Sequence, residues 1–225
     1  MTGPGDAPSL AAGTRGRWPA TIATLGFVAL YWLGVATAGA LVPGYAHRDD
    51  YISALASRGS PVAPLGMATI SSLALAHMAG GLVVRRAWRA RAAATSLAVS
   101  ALFGFVIAGF RIYCPDGPPG CGFEAAPPIQ DLGDVLHGHG VRGYQVFTVL
   151  AMAALAVGSA RGARWPRWLG AVSVPVAVVS TACLLNTSGA DNGLWQRLWL
   201  ASNTGWLVLV ALAAWQVRSP QPGTG

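Results

Sequence analysis

The sequence predicts an all-α protein of the polytopic membrane class: a bundle of six transmembrane helices with both termini in the cytoplasm. Three observations lead to this prediction. Of the 225 residues, 53% are hydrophobic and only 10% are charged, whereas a soluble domain usually carries about a quarter charged residues. Six apolar runs are long enough to cross a bilayer. The charges that separate these runs are distributed unevenly between the two sides.

The six runs lie at about 21–42, 64–84, 92–112, 134–160, 168–185 and 194–215. A helix rises 1.5 Å per residue, so about 20 residues cross the hydrocarbon core. We therefore expect one transmembrane domain over 21–217, between a disordered cytoplasmic N-terminus (1–20) and a cytoplasmic tail (218–225). A cleaved signal peptide is the alternative for the first run, because Arg15 and Arg17 precede it and Ala-Thr-Ala at 36–38 resembles a cleavage site.

Arginines and acids fall on opposite sides of these runs. Ten arginines and one acid lie before the first run and after the second, fourth and sixth, while five arginines and seven acids lie on the other side. The positive-inside rule places the arginine-rich set in the cytoplasm. The net charge of +7 arises in short loops between apolar runs, which argues against a nucleic-acid partner and leaves the lipid bilayer as the expected one.

Residues 131–139 concentrate titratable chemistry on the predicted outer side. Asp134 and His137 are three residues apart, so both project from one face of a helix. They are the candidate catalytic pair, and His137 is also a candidate metal ligand, together with His139. Two imidazoles with carboxylates suit zinc, although the spacing matches no strong zinc motif. A further ligand would come from one of three residues in the other outer connections: His47, Asp50 or Asp191.

The same stretch has a structural interpretation, which we favour for its individual residues. Asp131 and Asp134 stand where a helix N-cap and a first-turn carboxylate are expected. His137 would then hydrogen-bond to Asp50, Asp191 or a loop carbonyl. His139 would be a solvated loop histidine.

Arg111 lies at the outer end of the third run, where a cation needs a partner or must reach toward water. One hypothesis makes it an anion clamp, with Asp50 and Asp191 as further substrate-binding residues. The interpretation that we favour is an ion pair with Asp134, Asp131 or Asp191 that holds the third and fourth helices together.

Two other polar features fall on the outer side. Cys114 and Cys121 flank a Pro/Gly turn in an oxidising compartment, which favours a disulfide; free thiols or a loose metal pair are the alternatives. Ile52, Leu55 and Ala56 lie at i, i+3 and i+4, which predicts a short interfacial helix capped by Asp49 or Asp50.

His77 is the one histidine inside an apolar run. Ser96 and Ser100 pass at similar depth in the next run, so we expect an interhelical His–Ser hydrogen bond. Glycines in the runs, Gly104 and Gly109 among them, predict close helix packing.

The sequence resembles a family of bacterial and archaeal membrane proteins catalogued as domain of unknown function 998. The resemblance rests on Tyr-Ile-Ser-Ala-Leu at 51–55 in the first outer loop, the Cys114-Pro115 turn after the third run, and His137 at the start of the fourth. It covers residues 20–215. It implies an integral membrane protein with several helices, and it implies no established reaction and hence no catalytic residue. We expect the protein to lie in a bacterial cytoplasmic membrane.

Three functional hypotheses follow. The first is a membrane protein of unknown biochemical activity whose outer-face Asp/His/Arg cluster binds a lipid headgroup or another membrane protein. The second is a lipid hydrolase or transferase at the outer leaflet, metal-dependent or not, in which His137 is the base or metal ligand, Asp134 orients it, and Arg111 clamps an anion. The third is a small transporter with a path through the second, third and fifth helices.

Overall fold

The computed structural model describes residues 17–114, 118, 131–162, 165–189 and 191–216. Within these residues six helices are long and apolar enough to cross a membrane, as predicted. They are α1 (Arg17–Ala40), α2 (Ala63–Trp88), α3 (Arg91–Gly109), α4 (Leu132–Ala160), α5 (Arg167–Leu185) and α6 (Asn192–Gln216). A short 3-10 helix (Ile52–Ala56) lies between α1 and α2, and the described residues contain no β-strand. Most of the predicted N-terminal segment and tail lies outside the described residues.

The helices begin and end where local chemistry allows. Pro64 stands in the first turn of α2, where its missing N–H is not needed. Arg89 ends α2 in the left-handed conformation, with φ of 55°, and α3 starts two residues later. Asp131 starts α4 as its N-cap, accepting hydrogen bonds from the backbone N–H groups of Gly133 and Asp134. The predicted structural role of Asp131 and Asp134 at this helix start is thereby confirmed.

Each helix packs against the next in sequence, and α6 closes the bundle against α1 while also contacting α2. The rings of Trp18 and Trp215 meet with centroids 3.8 Å apart at this closure. One end of the bundle carries the α1–α2, α3–α4 and α5–α6 connections, and we call it the acidic end. The opposite end carries the α2–α3 and α4–α5 connections, and we call it the arginine end.

Close packing relies on small residues at the helix contacts. A Cβ added at Gly104 of α3 would lie 2.9 Å from the Cβ of Ala74 in α2, so the glycine is needed there. A Cβ at Gly109 would meet nothing within 4 Å. The predicted packing role therefore holds for Gly104 and is wrong for Gly109, which lies beyond the contact.

The bundle interior contains a polar network centred on Gln145 of α4. Its Nε2 donates to Ser180 (2.9 Å) and Thr181 (3.1 Å) of α5. Its Oε1 accepts from the Trp199 indole (2.6 Å) and Asn203 amide (3.0 Å) of α6. A buried amide in a membrane is costly unless its hydrogen bonds are made. The network therefore holds α4, α5 and α6 together.

The predicted His77–serine hydrogen bond is wrong. His77 Nδ1 lies 3.0 Å from the Leu73 carbonyl oxygen of its own helix, and its ring meets the Tyr144 ring edge-on at 4.8 Å. Ser100 bonds instead to α4, donating to the Tyr144 carbonyl at 3.0 Å or sharing a bond with Thr148 at 2.8 Å. Helix depth predicted proximity correctly, but the carbonyl four residues earlier competed for the imidazole N–H.

Candidate functional site

The connection between α1 and α2, residues 41–62, folds back into the acidic end of the bundle. All five residues of its 3-10 helix are buried. The backbone N–H of Ile52 donates to the Gln196 side chain of α6 at 2.5 Å. The backbone of Leu55 and Ala56 rests directly on α2, because a Cβ at Gly66 would lie 2.6 Å from it.

Two expectations for this segment are wrong. The short helix is buried rather than interfacial, and no side chain caps it. Asp50 instead accepts a hydrogen bond at 2.7 Å from the backbone N–H of Ala46, inside the preceding turn. The i, i+3, i+4 pattern that suggested an amphipathic surface helix is equally compatible with burial on every side.

Arg197 of α6 fastens the first half of this connection. Its Nη1 donates to the Asp50 carbonyl at 2.9 Å, and its Nη2 donates to the Tyr45 hydroxyl at 2.6 Å. The same Nη2 lies 3.0 Å from His47 Nδ1, which must accept because a guanidinium has only donors. Partial burial and the Arg197 charge lower the pKa of His47, in agreement with a neutral ring. His47 thus uses one ring nitrogen within the protein.

Asp191, just before α6, also holds the first half of this connection in place, through an ion pair with Arg48. Arg48 donates to both of its carboxylate oxygens, through Nε to Oδ1 and through Nη2 to Oδ2 at 3.1 Å. These bonds lower the pKa of Asp191. Beside this pair, the Leu194 N–H donates to the Arg48 carbonyl at 2.7 Å, and the Tyr51 hydroxyl donates to the Thr187 carbonyl. The predicted substrate-binding residues Asp50 and Asp191 therefore both hold the connection against the start of α6.

Arg58 fastens the second half of the connection to α4. Its Nη1 donates to Asp131, its Nη2 lies 4.0 Å from Asp134, and its guanidinium sits 5.2 Å from the centroid of the Tyr113 ring. The bond from Arg58, followed by those from the α4 backbone, lowers the pKa of Asp131. One carboxylate therefore both caps α4 and holds the connection.

The segment after α3 completes this arrangement. The backbone N–H of Tyr113 donates to Asp134 at 2.8 Å. A short parallel bridge joins the segment to Arg58, whose N–H donates to the Ile112 carbonyl at 3.0 Å. Cys114 is disulfide-bonded, and Cys121 lies outside the described residues, so the predicted Cys114–Cys121 pairing stays a prediction.

His137 is 7% exposed, and its Nδ1 lies 2.9 Å from the Phe110 carbonyl at the end of α3. Since a carbonyl can only accept, Nδ1 carries a proton. The predicted bond to a carbonyl is confirmed. His139 lies two residues further along α4 and is exposed. The structure places it within the helix, so its predicted position in a loop is wrong.

The candidate metal ligands do not converge in the described part of the chain. No group of three or more His, Cys, Asp or Glu residues there is arranged to hold a metal ion. His47 contacts Arg197 at α6, whereas His137 contacts the end of α3. His139 faces away from both contacts, on the outside of the bundle. The zinc hypothesis therefore gains no ligand set from these residues.

Arg111 follows α3 at the acidic end and is partly exposed. The favoured interpretation, an ion pair with Asp131, Asp134 or Asp191, is wrong: Arg58 takes Asp131 and Arg48 takes Asp191. Among the described residues, Arg111 takes part in no ion pair at all, with Asp134 or any other acid. The first connection brings other arginines to these acids, and Arg111 is left without an acidic partner in the described part of the chain.

A family comparison bears on these residues. A family model described as a protein of unknown function (DUF998) matches residues 25–213. The chain belongs to the DUF998 family. Searches of curated proteins and of solved structures found no match to the chain.

The structure connects two of the sequence features on which the resemblance to DUF998 rests. Ser53 of the Tyr-Ile-Ser-Ala-Leu segment and His137 of α4, which both carried the resemblance, line one small cavity beneath the 3-10 helix. Its volume is about 30 Å³, the room that roughly one water molecule occupies. The two features are therefore parts of one packed unit at the acidic end.

Several residues that build this end of the DUF998 chain escaped sequence analysis: Tyr45, Arg58, Gln196 and Arg197. Each bonds to a partner more than fifty residues away, or across a loop, and such pairings leave no local pattern. The one available signal was the charge count, because five arginines share the acidic end with seven acids. That signal predicted ion pairs, but not which of the five arginines would form them.

Proposed function

We propose that this integral membrane protein binds the anionic headgroup of a membrane lipid at Arg111. The observation that carries the proposal is that Arg111 forms no ion pair among the described residues, at an end of the bundle where the neighbouring arginines are engaged. Arg48 is bound to Asp191, Arg58 to Asp131, and Arg197 to Tyr45 and two backbone carbonyls. A guanidinium at the membrane interface is stabilised by an anion beside it. Its parallel N–H groups can donate to two oxygens of one phosphate.

The surroundings of Arg111 suit the boundary between headgroups and acyl chains. Phe110 is 42% exposed, Tyr113 is 38% exposed, and Leu132 at the start of α4 is 70% exposed. Aromatic side chains are favoured at that boundary, where one face meets hydrocarbon and an edge or hydroxyl meets water. These side chains would hold the acidic end at the level at which a lipid phosphate can reach Arg111.

The outer face of α4 supports the same assignment. His139 and Arg142 are three residues apart, and both are exposed. They stand above Val146 and Leu150, which are also exposed and continue the face toward the arginine end. An arginine on such a face avoids the free-energy cost of placing its charge in hydrocarbon, because its side chain can extend to the level of the phosphates. Arg142 is therefore a secondary contributor to the same headgroup layer.

The charge distribution supports an outward orientation of the acidic end. The arginine end carries no acid among the described residues, while the acidic end carries Asp49, Asp50, Asp131, Asp134 and Asp191. The positive-inside rule then places the arginine end in the cytoplasm. We accordingly assign the headgroup site to the outer leaflet of a bacterial cytoplasmic membrane.

The geometry favours binding over lipid hydrolysis by His137 and Asp134. His137 is bound to the Phe110 carbonyl and lines a cavity of about 30 Å³. That volume suits a water molecule and is far below the 300–1,000 Å³ of a typical ligand pocket. Asp134 accepts from the Tyr113 backbone, which occupies one of its oxygens with a structural bond.

Lipid binding to purified full-length protein tests the proposal by native mass spectrometry. Dioleoyl phosphatidylglycerol is titrated into wild type, Arg111→Gln and Arg48→Gln, with phosphatidylcholine as the neutral comparison. One arginine near a lipid surface is worth about 1 kcal/mol, so Arg111→Gln should weaken phosphatidylglycerol binding about fivefold. Arg48→Gln is the matched control because Arg48 lies at the same end and is already paired with Asp191. Equal binding by wild type and Arg111→Gln, or an equal loss in Arg48→Gln, would refute the proposal.

A further inference from the structure

A second lipid-facing feature lies at the arginine end, between α4 and α5. The two helices leave a groove of about 610 Å³ between them, within the range of ligand pockets. Its lining consists mostly of small residues from the end of α4 and the start of α5: Ala156, Ser159, Ala160, Gly162, Arg167, Gly170, Ala171 and Val174. The α5 members recur at three- and four-residue spacing, so they form one face of that helix.

Local packing explains why the groove exists. Gly170 touches the Ser159 hydroxyl so closely that an added Cβ would clash with it, and the helices meet there. Beyond that contact, Ala160 and Ala171 are too small to fill the space, and both are exposed. Val174 forms the apolar far edge and is 55% exposed. The result is an open, mostly apolar channel on the outside of the bundle, and we expect it to face the acyl chains of the bilayer.

The mouth of the groove is positively charged. Arg167 begins α5 and lines the groove, and Arg161, at the end of α4, is exposed immediately before Gly162. The start of α5 also presents the positive end of its helix dipole. The described residues of the arginine end contain no Asp or Glu that could neutralise these cations.

We propose that this groove binds an anionic phospholipid, with one acyl chain in the channel and the phosphate at Arg167 and Arg161. Charge complementarity selects an anionic lipid over a neutral one, and the apolar channel selects a lipid over a soluble phosphate. The groove residues of α5 span seven positions, or about 10 Å, which suits part of an acyl chain.

The test counts bound lipids on full-length protein by native mass spectrometry. All variants are made in the Arg111→Gln/Arg142→Gln background, which removes both cations assigned to the headgroup layer of the acidic end, so that the count concerns the arginine end. The probes are dioleoyl phosphatidylglycerol, dioleoyl phosphatidylcholine and glycerol 3-phosphate, which has the headgroup charge without the chains. Arg167→Gln removes the cation, and Ala171→Trp fills the channel. Their matched controls are Arg85→Gln, an exposed arginine at the same end, and Val179→Trp, an exposed position on another face of α5.

We expect both groove variants to bind phosphatidylglycerol at least fivefold more weakly than either control, with unchanged melting temperatures. Phosphatidylcholine and glycerol 3-phosphate should bind weakly to every variant. Two results would overturn the proposal: equal phosphatidylglycerol binding by the groove variants and their controls, or equal binding of the two phospholipids. Because Arg111 is absent throughout, neither result bears on the headgroup site at the acidic end.

Discussion

Arg111 and Arg58 lie close to the same helix start but have opposite roles. Arg58 is bound to Asp131 and lies against the Tyr113 ring, so its charge is used within the protein. Arg111 has no acidic partner among the described residues and lies beside exposed apolar side chains. The sequence predicts an ion pair of Arg111 with Asp134, Asp131 or Asp191, because Arg111 ends the third span on the side that is rich in acids. Arg58 displaced it because the first connection folds back across the bundle, which no local pattern encodes.

The Asp131 carboxylate should make the stability of the protein depend on pH. The bonds from Arg58 and the α4 backbone lower the pKa of Asp131 in the folded state below its value in the unfolded chain, which is about 3.9. Its contribution is therefore complete above about pH 4 and is lost as the pH falls through the folded pKa. Thermal unfolding midpoints measured from pH 3 to pH 7 should fall on acidification, and less steeply in Asp131→Asn.

Asp49→Asn provides the control for that experiment, because Asp49 is an exposed acid of the same end. It should retain the slope of the wild type. A wild-type slope in Asp131→Asn would show that the Arg58–Asp131 contact does not stabilise the fold.

At the scale of elements, the six spans could be predicted because the length and hydrophobicity of each run are enough to indicate a helix that crosses the bilayer. The start of α4 could be predicted as well, because an Asp N-cap is a local signal. The 3-10 helix was recognised as a short helical turn but was placed at the surface. The burial of this helix depends on its contacts with Gly66 of α2 and Gln196 of α6. Neither contact produces a recognisable pattern in the sequence of residues 52–56.

The contact of Gly66 with the 3-10 helix should make it intolerant of even one methyl group. Gly66→Ala places a Cβ 2.6 Å from the backbone of Leu55 and Ala56, which cannot move as a side chain can. Such overpacking costs about 1–3 kcal/mol, against a gain in helix propensity of up to about 1 kcal/mol. We expect a lower melting temperature and faster labelling of a Ser53→Cys reporter by a water-soluble maleimide.

Gly26→Ala is the matched control, since a Cβ at this α1 glycine meets nothing within 4 Å. That variant should be as stable as wild type or slightly more stable, with unchanged labelling of the reporter. If Gly66→Ala behaves like Gly26→Ala, the 3-10 helix is not packed against α2 as described.

At the scale of the whole molecule, the two ends of the bundle differ in charge and in construction. The acidic end is closed by a folded-back connection that arginines hold to α4 and α6. The arginine end has short turns, with only two residues between the last residue of α2 and the first of α3. The charge asymmetry was fully visible in the sequence. The closure of the acidic end was not, because it depends on residues brought together from four helices.

The charge asymmetry predicts the orientation of the molecule. With six spans, both termini lie on one side, and the arginine end should be cytoplasmic. A C-terminal green fluorescent protein fusion should therefore fluoresce in a bacterial host, while a C-terminal alkaline phosphatase fusion should be inactive. An active phosphatase fusion together with a dark fluorescent fusion would reverse the assignment of the headgroup site to the outer leaflet.

Binding of an anionic lipid headgroup by Arg111 can be observed in a structure of the protein in a lipid nanodisc. The protein would be imaged by electron cryo-microscopy in nanodiscs of phosphatidylglycerol and, separately, of phosphatidylcholine. We expect ordered headgroup density in phosphatidylglycerol, with a phosphate oxygen about 2.7–2.9 Å from the Arg111 guanidinium, and weaker density in phosphatidylcholine. An Arg111 side chain bound to a carboxylate of the protein itself, with no lipid phosphate beside it in either nanodisc, would rule out headgroup binding at Arg111.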